Sequence, residues 1–213
     1  MKKVGVLRFP GTNCDRDVFG WVEKKGCQAQ FLWHLDLFDP KDYDALLVPG
    51  GFSYGDYLRS GALAALSPAM RSVREFAERG GPVLGICNGF QILCEAQLLP
   101  GALVKNEGLR FIDDWVELEM VHHHSVFGKR IKDGSRFKLP VAHGDGRFYA
   151  PADELQKIFD KGLVWLRYLE NPNGSLSDIA GVMNERKNVA ALMPHPERAI
   201  AAWMGGEAGW DFL

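Results

Sequence analysis

In the first hundred residues, short and nearly continuous apolar runs alternate with segments of helical period, and most runs close on glycine or proline. Residues 2–9 read as a strand broken by Pro10-Gly11. Thr12 or Asn13 then stands where a cap is needed for a helix in which Val18, Trp21 and Val22 fall at i, i+3 and i+4, up to Gly26. Residues 28–33 and 44–48 read as further strands, the second ending in Pro49-Gly50-Gly51. Ser67-Pro68 predicts a helix start, with Ser as cap and Pro at the first helical position, and Met70, Val73, Phe76 and Ala77 repeat at helical spacing to Gly80-Gly81. Residues 82–86 predict a fourth strand and 88–97 a further helix. Runs that are apolar on both faces need cover on both faces, which a parallel sheet between two helical layers provides.

The expected fold is therefore α/β, a doubly wound and mostly parallel central sheet flanked by helices, flavodoxin-like in layout. From about Glu107 the pattern changes to strands at 111–121, 137–142, 162–169, 179–184 and 189–193, separated by turns such as Asn171-Pro172-Asn173-Gly174. The C-terminal half is thus expected to be more antiparallel, as one edge of the sheet or a small extra sheet. No repeat or linker divides the chain, so residues 1–213 read as one domain.

Composition narrows the function classes. Lys and Arg number 25 against 27 Asp and Glu, so no basic excess marks a nucleic-acid partner. No apolar run approaches the roughly 18 residues of a membrane span, and residues 1–8 are charged again too soon for a signal segment. Four cysteines, at 14, 27, 87 and 94, form neither a C-x-x-C pair nor a disulfide framework. A reduced, cytoplasmic protein is expected.

Three segments carry candidate chemistry. In Val83-Leu84-Gly85-Ile86-Cys87-Asn88-Gly89-Phe90-Gln91 a strand ends, one residue stands in the turn between glycines at i−2 and i+2, and a helix begins. That is the layout of a nucleophile elbow, which would expose the Cys87 sulfur above the sheet. The positive end of a helix and a neighbouring histidine both favour a thiolate. The plainer reading is a buried structural cysteine. Cys27 and Cys94, without a glycine frame, read as structural, and Cys14 as exposed and unpartnered.

Met193-Pro194-His195-Pro196-Glu197-Arg198 holds a histidine between two prolines, with His195 and Glu197 projecting to one side if the segment is extended. The pair would supply base and orienting acid to a thiol, or would simply be a charged surface turn. Leu46 to Tyr57 ends a strand in Gly-Gly, where the Gly51 N–H, with that of Asn88, is placed to receive an oxyanion, or forms a plain turn. His122 and His124 would share a face of a strand, but no third ligand accompanies them and no metal site is expected.

Taken together, G-I-C-N-G-F-Q, P-G-G-F-S-Y-G-D-Y and M-P-H-P-E-R resemble the class I (triad) glutamine amidotransferases. The opening Arg8 to Asp15 and Ala142 to Phe148 resemble the branch that serves as glutaminase subunit of an ATP-dependent C–N ligase in de novo purine biosynthesis. Asp145 departs from the Glu expected there. The resemblance implies Cys87 as nucleophile, His195 as acid and base, Glu197 as its orienting acid, and the Gly51 and Asn88 amides as oxyanion donors. It also implies substrate contacts from Gln91, His143 and Gly144.

The chain contains neither G-x-x-x-x-G-K-[ST] nor G-x-G-x-x-G. No cofactor is therefore expected on it, and ATP and Mg²⁺ are expected on a partner, a synthetase large subunit accompanied by a small bridging subunit. The 213 residues read as half of an enzyme, with glutaminase activity rising when the synthetase is added. Asp56, Tyr57 and Arg59 are candidates for sensing that partner, or they cap a helix beginning near Gly61. The competing readings are another thiol enzyme, or a non-catalytic regulatory subunit on the same fold.

Overall fold

The computed structural model describes residues 2–213. Its N-terminal half runs β1 (Lys3–Arg8), α1 (Asp15–Lys24), β2 (Gln28–Trp33), β3 (Ala45–Val48), α2 (Ala62–Ala65), α3 (Ala69–Glu78), β4 (Val83–Ile86) and α4 (Asn88–Glu95). The remainder runs β5 (Ala102–Val104), β6 (Ile112–Met120), β7 (Arg136–His143), β8 (Arg147–Tyr149), α5 (Ala152–Asp160), β9 (Val164–Tyr168), β10 (Ile179–Met183) and β11 (Val189–Leu192). One nine-stranded sheet has the order β2-β1-β3-β4-β11-β10-β9-β6-β7, and β5 and β8 form a separate two-stranded sheet.

The first five strands of that order are mutually parallel, and from β10 onward every pairing is antiparallel. Both forms expected of the C-terminal half therefore occur, an antiparallel edge and a small extra sheet. β11 departs from the grouping read in the sequence. Instead of lying within the antiparallel half it sits mid-sheet, parallel to β4 with Val189 beside Val83 and Leu192 beside Ile86, and this brings the segment after Leu192 next to the β4–α4 turn. β4 and β11 are buried throughout, as a central strand covered on both faces must be.

Two caps differ from expectation. The Thr12 hydroxyl accepts the Phe9 N–H (3.0 Å) rather than capping α1, whose N-cap position is held by Cys14 without a side-chain bond. Asp15 and Asp17 in the first turn supply the negative charge that end favours. Ser67 gives its hydroxyl to a bond with Tyr54 Oη (3.1 Å), so α3 starts on the preset φ of Pro68 alone. α5, β5 and β8 add to the elements read in the sequence.

The core is built where α1 and α3 lie on the sheet, with Val18, Trp21, Val73 and Phe76 buried against Leu7, Leu46 and Leu84. A second cluster on the antiparallel side sets Trp165 and Phe137 edge-on to Phe212. Among the described residues no helix is long and apolar enough to cross a membrane.

Candidate active site

Four parallel strands deliver the site residues from their carboxyl ends, the edge at which open α/β sheets bind ligands. Cys14 follows β1, Gly50 and Gly51 follow β3, Cys87 follows β4 and His195 follows β11. Cys87 has φ 51° and ψ −106°, a left-handed conformation that a non-glycine residue holds only when its surroundings impose it. Those surroundings are the two glycines of the elbow. A Cβ on Gly89 would stand 1.8 Å from the Val48 carbonyl oxygen, and one on Gly85 2.6 Å from a Leu93 methyl and 2.8 Å from the Gly89 oxygen. Only bare backbone lets α4 seat so closely on β3 and β4.

His195 and Glu197 are buried and joined by a 2.7 Å bond between Nδ1 and Oε1. The segment is not extended. Pro196–Arg198 is a single 3₁₀ turn, and this fold-back closes the i, i+2 pair. Because Glu197 accepts at Nδ1, the nitrogen left for chemistry is Nε2, which is buried with no hydrogen-bond partner among the described residues. Burial alone would depress the imidazole's pKa. The Glu197 carboxylate, with the nearby Cys87 and Cys14 sulfurs, overcomes it and holds the ring well above its ordinary value near 6.5. The His195 N–H is anchored to Pro140 O of β7 (2.8 Å), fixing the segment to the antiparallel half.

Cys87 and His195 line one cavity of about 150 Å³ with Asn13, Cys14, Gly51, Phe52, Phe111, Ala142 and Arg198. Gly50 packs against three of these groups, since a Cβ there would stand 2.8 Å from His195 Cε1, 3.1 Å from Cys14 Sγ and 3.4 Å from Cys87 Cβ. The bridge between Thr12 and Gly51 is carried by Phe52 N–H to Gly11 O (3.0 Å) and Cys14 N–H to Gly50 O (3.2 Å), bonds that leave the Gly51 N–H unused. The Asn88 N–H is in the first turn of α4, where backbone donors lack helical acceptors.

Asn88 and Gln91 are tied to each other rather than directed into the cavity. Asn88 Oδ1 accepts the Ser53 N–H (3.2 Å), its Nδ2 donates to Gln91 Oε1 (2.7 Å), and Gln91 Nε2 donates to Asp145 O (2.6 Å). Asn106, which the sequence reading passed over, holds the same loop from the other side. Its amide donates to His143 O (2.9 Å) and accepts from Gly146 N–H (3.0 Å), and its own backbone N–H donates to Gly144 O (2.9 Å). His143 faces Asn106 Oδ1 through Nδ1 (3.2 Å), so it carries its proton there and leaves a buried Nε2 with no partner among the described residues. Burial first, then the charge of His195, hold His143 at a pKa of about 4, neutral near pH 7.

Cys14 differs most from expectation. Read as exposed, it is buried, with Sγ 3.2 Å from the Arg198 guanidinium and 3.3 Å from Asn13 Oδ1. Its sulfur, a His195 ring nitrogen and a Glu197 oxygen all lie within 4.8 Å of one another. The local sequence is polar, but the packing that covers Cys14 comes from residues distant in the chain.

The loop after Gly51 is strained, with Tyr54, Asp56 and Leu58 at positive φ, and Tyr54 Oη anchors it to His34 Nδ1 (2.6 Å). None of Asp56, Tyr57 and Arg59 caps α2 through its side chain. Arg59 instead clasps Glu95 of α4 with two bonds (2.5 and 2.6 Å) and Tyr57 is exposed. Asp56 lies near Asp145, and burial, then that neighbouring carboxylate, raise its pKa to about 6. His122 and His124 lie beyond the end of β6, not in a strand; their rings stack, while His123 pairs with Asp133 (2.7 Å).

The same arrangement of elements recurs in known proteins. A CobB/CobQ-like glutamine amidotransferase domain model matches residues 1–208. A phosphoribosylformylglycinamidine synthase subunit PurQ from Rubrobacter xylanophilus is 50% identical over 211 residues, covering 99% of this chain and 96% of that protein. The subunit of that name from Prochlorococcus marinus is 52% identical over 209 residues, with 97% and 93% covered. A chain in the structure of PurLQS from Thermotoga maritima superposes with a TM-score of 0.91 at 43% identity, covering 99% of this chain and 95% of that one. A more distant glutamine amidotransferase from Thermotoga maritima, 18% identical with a TM-score of 0.63 and coverage of 93% and 77%, shares the fold. With an elbow cysteine, a carboxylate-bound histidine and a family match along nearly its whole length, this chain belongs to the CobB/CobQ-like glutamine amidotransferases.

Proposed function

We propose that this chain is the glutaminase subunit of a phosphoribosylformylglycinamidine synthase, forming L-glutamate and ammonia from L-glutamine and passing the ammonia to a synthetase chain. The observation that carries the reading is the buried His195–Glu197 pair, whose free Nε2 shares a cavity with the strained Cys87. In this reading Cys87 attacks the side-chain amide carbon of glutamine. The Gly51 and Asn88 N–H groups receive the oxyanion, each worth about 3 kcal/mol of barrier. The His195 imidazolium gives its proton to the departing ammonia as the C–N bond breaks. Now neutral, it takes a proton from the water that hydrolyses the γ-glutamyl thioester. Glu197 holds the tautomer throughout.

Gln91 serves this site by fixing the His143–Gly146 loop, and through it the thioester's surroundings. Neutral His143 offers Nε2 as an acceptor for the substrate's α-ammonium, and Gly144 lies beside it for the carboxylate. The whole of residues 1–213 acts as one amidotransferase domain and carries no cofactor. ATP and Mg²⁺ belong to a synthetase large subunit, joined by a small bridging subunit in the cytoplasm, that converts formylglycinamide ribonucleotide to formylglycinamidine ribonucleotide. Exposed Phe52 and Phe111 line the cavity with their rings 6.4 Å apart, and exposed Tyr57, Leu58 and Leu109 lie close to them in sequence, which supports docking of the synthetase chain at the mouth.

The test is Cys87→Ala in the reconstituted complex, supplied in turn with glutamine and with an ammonium salt. Glutamine-dependent synthesis is expected to fall by about 10⁴-fold or more while ammonium-dependent synthesis persists. Unchanged use of glutamine would refute the assignment, and loss with both nitrogen sources would point to a structural role for Cys87.

A further inference from the structure

The mechanism above uses one of two thiols in the cavity. Cys14 Sγ and Cys87 Cβ lie 3.1 and 3.4 Å from a single point, the position a Cβ on Gly50 would take, and Gly50 has no side chain to separate them. Both residues line the same cavity with His195, whose Nε2 is buried without a partner among the described residues. Cys27 and Cys94 lie outside that cavity. Cys14 is set where a reactive sulfur is served: the Arg198 guanidinium donates to it at 3.2 Å and is itself held by Asp17 (3.1 Å). None of the roles given to Cys87, His195 or Glu197 requires a second thiol.

We propose that Cys14 is the resolving thiol of Cys87, and that the pair forms a reversible disulfide that shuts the glutaminase off under hydroperoxide and protects its nucleophile. The chemistry balances in two steps. The Cys87 thiolate attacks the terminal oxygen of the hydroperoxide, the O–O bond breaks, and sulfur is oxidised to the sulfenic acid as the leaving oxygen takes the His195 proton and departs as water or an alcohol. The Cys14 thiol then gives its proton to the neutral His195 imidazole and attacks the Cys87 sulfur. The S–S bond forms as S–O breaks, and the hydroxide leaves as water with that same proton. Arg198 stabilises the attacking sulfur until that moment. A two-electron reductant restores both thiols. Bridging needs the two Cβ atoms at about 3.5–4.5 Å, so Cys14, on the loop after β1, moves toward Cys87 across the face of Gly50 when the bond forms. Without Cys14, the sulfenic acid would go on to the sulfinic acid, which thiols do not reduce.

The inference rests on Cys87 being the reactive thiol, and its test reads sulfur chemistry rather than glutamine turnover. The full chain, free and in the reconstituted complex, is treated with hydrogen peroxide and followed by intact mass and peptide mapping, with and without dithiothreitol. Wild type is expected to lose the mass of two hydrogens, to yield a peptide pair linking Cys14 to Cys87, and to recover fully on reduction. Cys14→Ala and Cys14→Ser, each compared with its own untreated sample, are expected to give no linked pair. Their Cys87 is expected to be trapped by dimedone as the sulfenic acid and then to gain two oxygens, with the dithiothreitol-recoverable fraction falling at least about fivefold. Sulfinic acid on wild-type Cys87 without a linked pair, or equal recovery in the Cys14 variants, would overturn the proposal. Unreacted Cys87 in every sample would overturn the reading of that residue as well.

Discussion

The two halves of the sheet do different work. In the parallel half, β1, β3, β4 and β11 all end at the same edge, and the segment after each contributes a residue to one cavity. In the antiparallel half, successive strands end at opposite edges, so their loops cannot converge in the same way. β10, β9, β6 and β7 instead supply a wall at Ala142, an anchor at Pro140 O for the His195 amide, and a core around Trp165 and Phe212. Parallel strands gather reactive groups, and antiparallel strands brace what has been gathered.

The contrast can be tested by disturbing each half in turn. In the parallel half, Glu197→Gln should lower kcat about 100-fold while leaving the fold intact. It also has a pH signature. In the wild type, His195 is held above its unfolded value near 6.5, so its pair with Glu197 contributes stability that is complete below that value and is lost as pH rises through the raised one. Without the carboxylate, burial dominates and the imidazole's pKa falls. The alkaline limb of the rate profile should move to lower pH, and the alkaline fall in Tm should flatten. A profile identical to wild type would show that Glu197 does not set the charge of His195.

A pair of glycines sharpens the comparison. Gly50 faces His195 at 2.8 Å, and Gly181 of β10 faces Ala191 O at 2.6 Å, each distance measured from an added Cβ. Gly50→Ala should lower kcat about 100-fold by displacing the imidazole. Gly181→Ala should lower Tm and change turnover per folded molecule by less than about threefold. Equal kinetic losses would mean that the antiparallel half tunes the chemistry as closely as the parallel half does. The smallest effect is expected from replacing both His122 and His124 by Ala, with kcat unchanged and Tm shifted by no more than a degree or two.

The same division explains what could be read from the chain. Most of the parallel strands were legible because they are apolar runs closed by glycine or proline, and the elbow at Cys87 was legible because Gly85 and Gly89 are local requirements of a local turn. The neighbour of β11 was not, because its apolar pattern is the same whichever partner it takes. Cys14 was misread for a related reason. Thr-Asn-Cys-Asp is polar, and what buries the sulfur is Arg198, 184 positions away. Asn106 sits in a Lys-Asn-Glu-Gly stretch indistinguishable from an ordinary turn, since the four bonds that tie it to His143, Gly144 and Gly146 exist only after folding. α5 did leave a signal, a proline followed by Asp153 and Glu154 in the first turn with Leu155, Ile158 and Phe159 at helical spacing. β5 and β8 are three residues each, too short for any periodicity to register.

The contact of Gly89 with Val48 O carries a mechanical consequence. Helix and strand meet there backbone to backbone, with no side chain between them whose rotamer could change. The Cys87 turn and the end of β3, which leads to the Gly51 N–H of the proposed mechanism, are therefore coupled through bare backbone. On the proposed function, a docked partner would act through the strained loop carrying Tyr57 and Leu58, or through the loop that Asn106 and Gln91 clamp from its two sides. On that reading the reacting centre is the fixed frame and its rim the adjustable part.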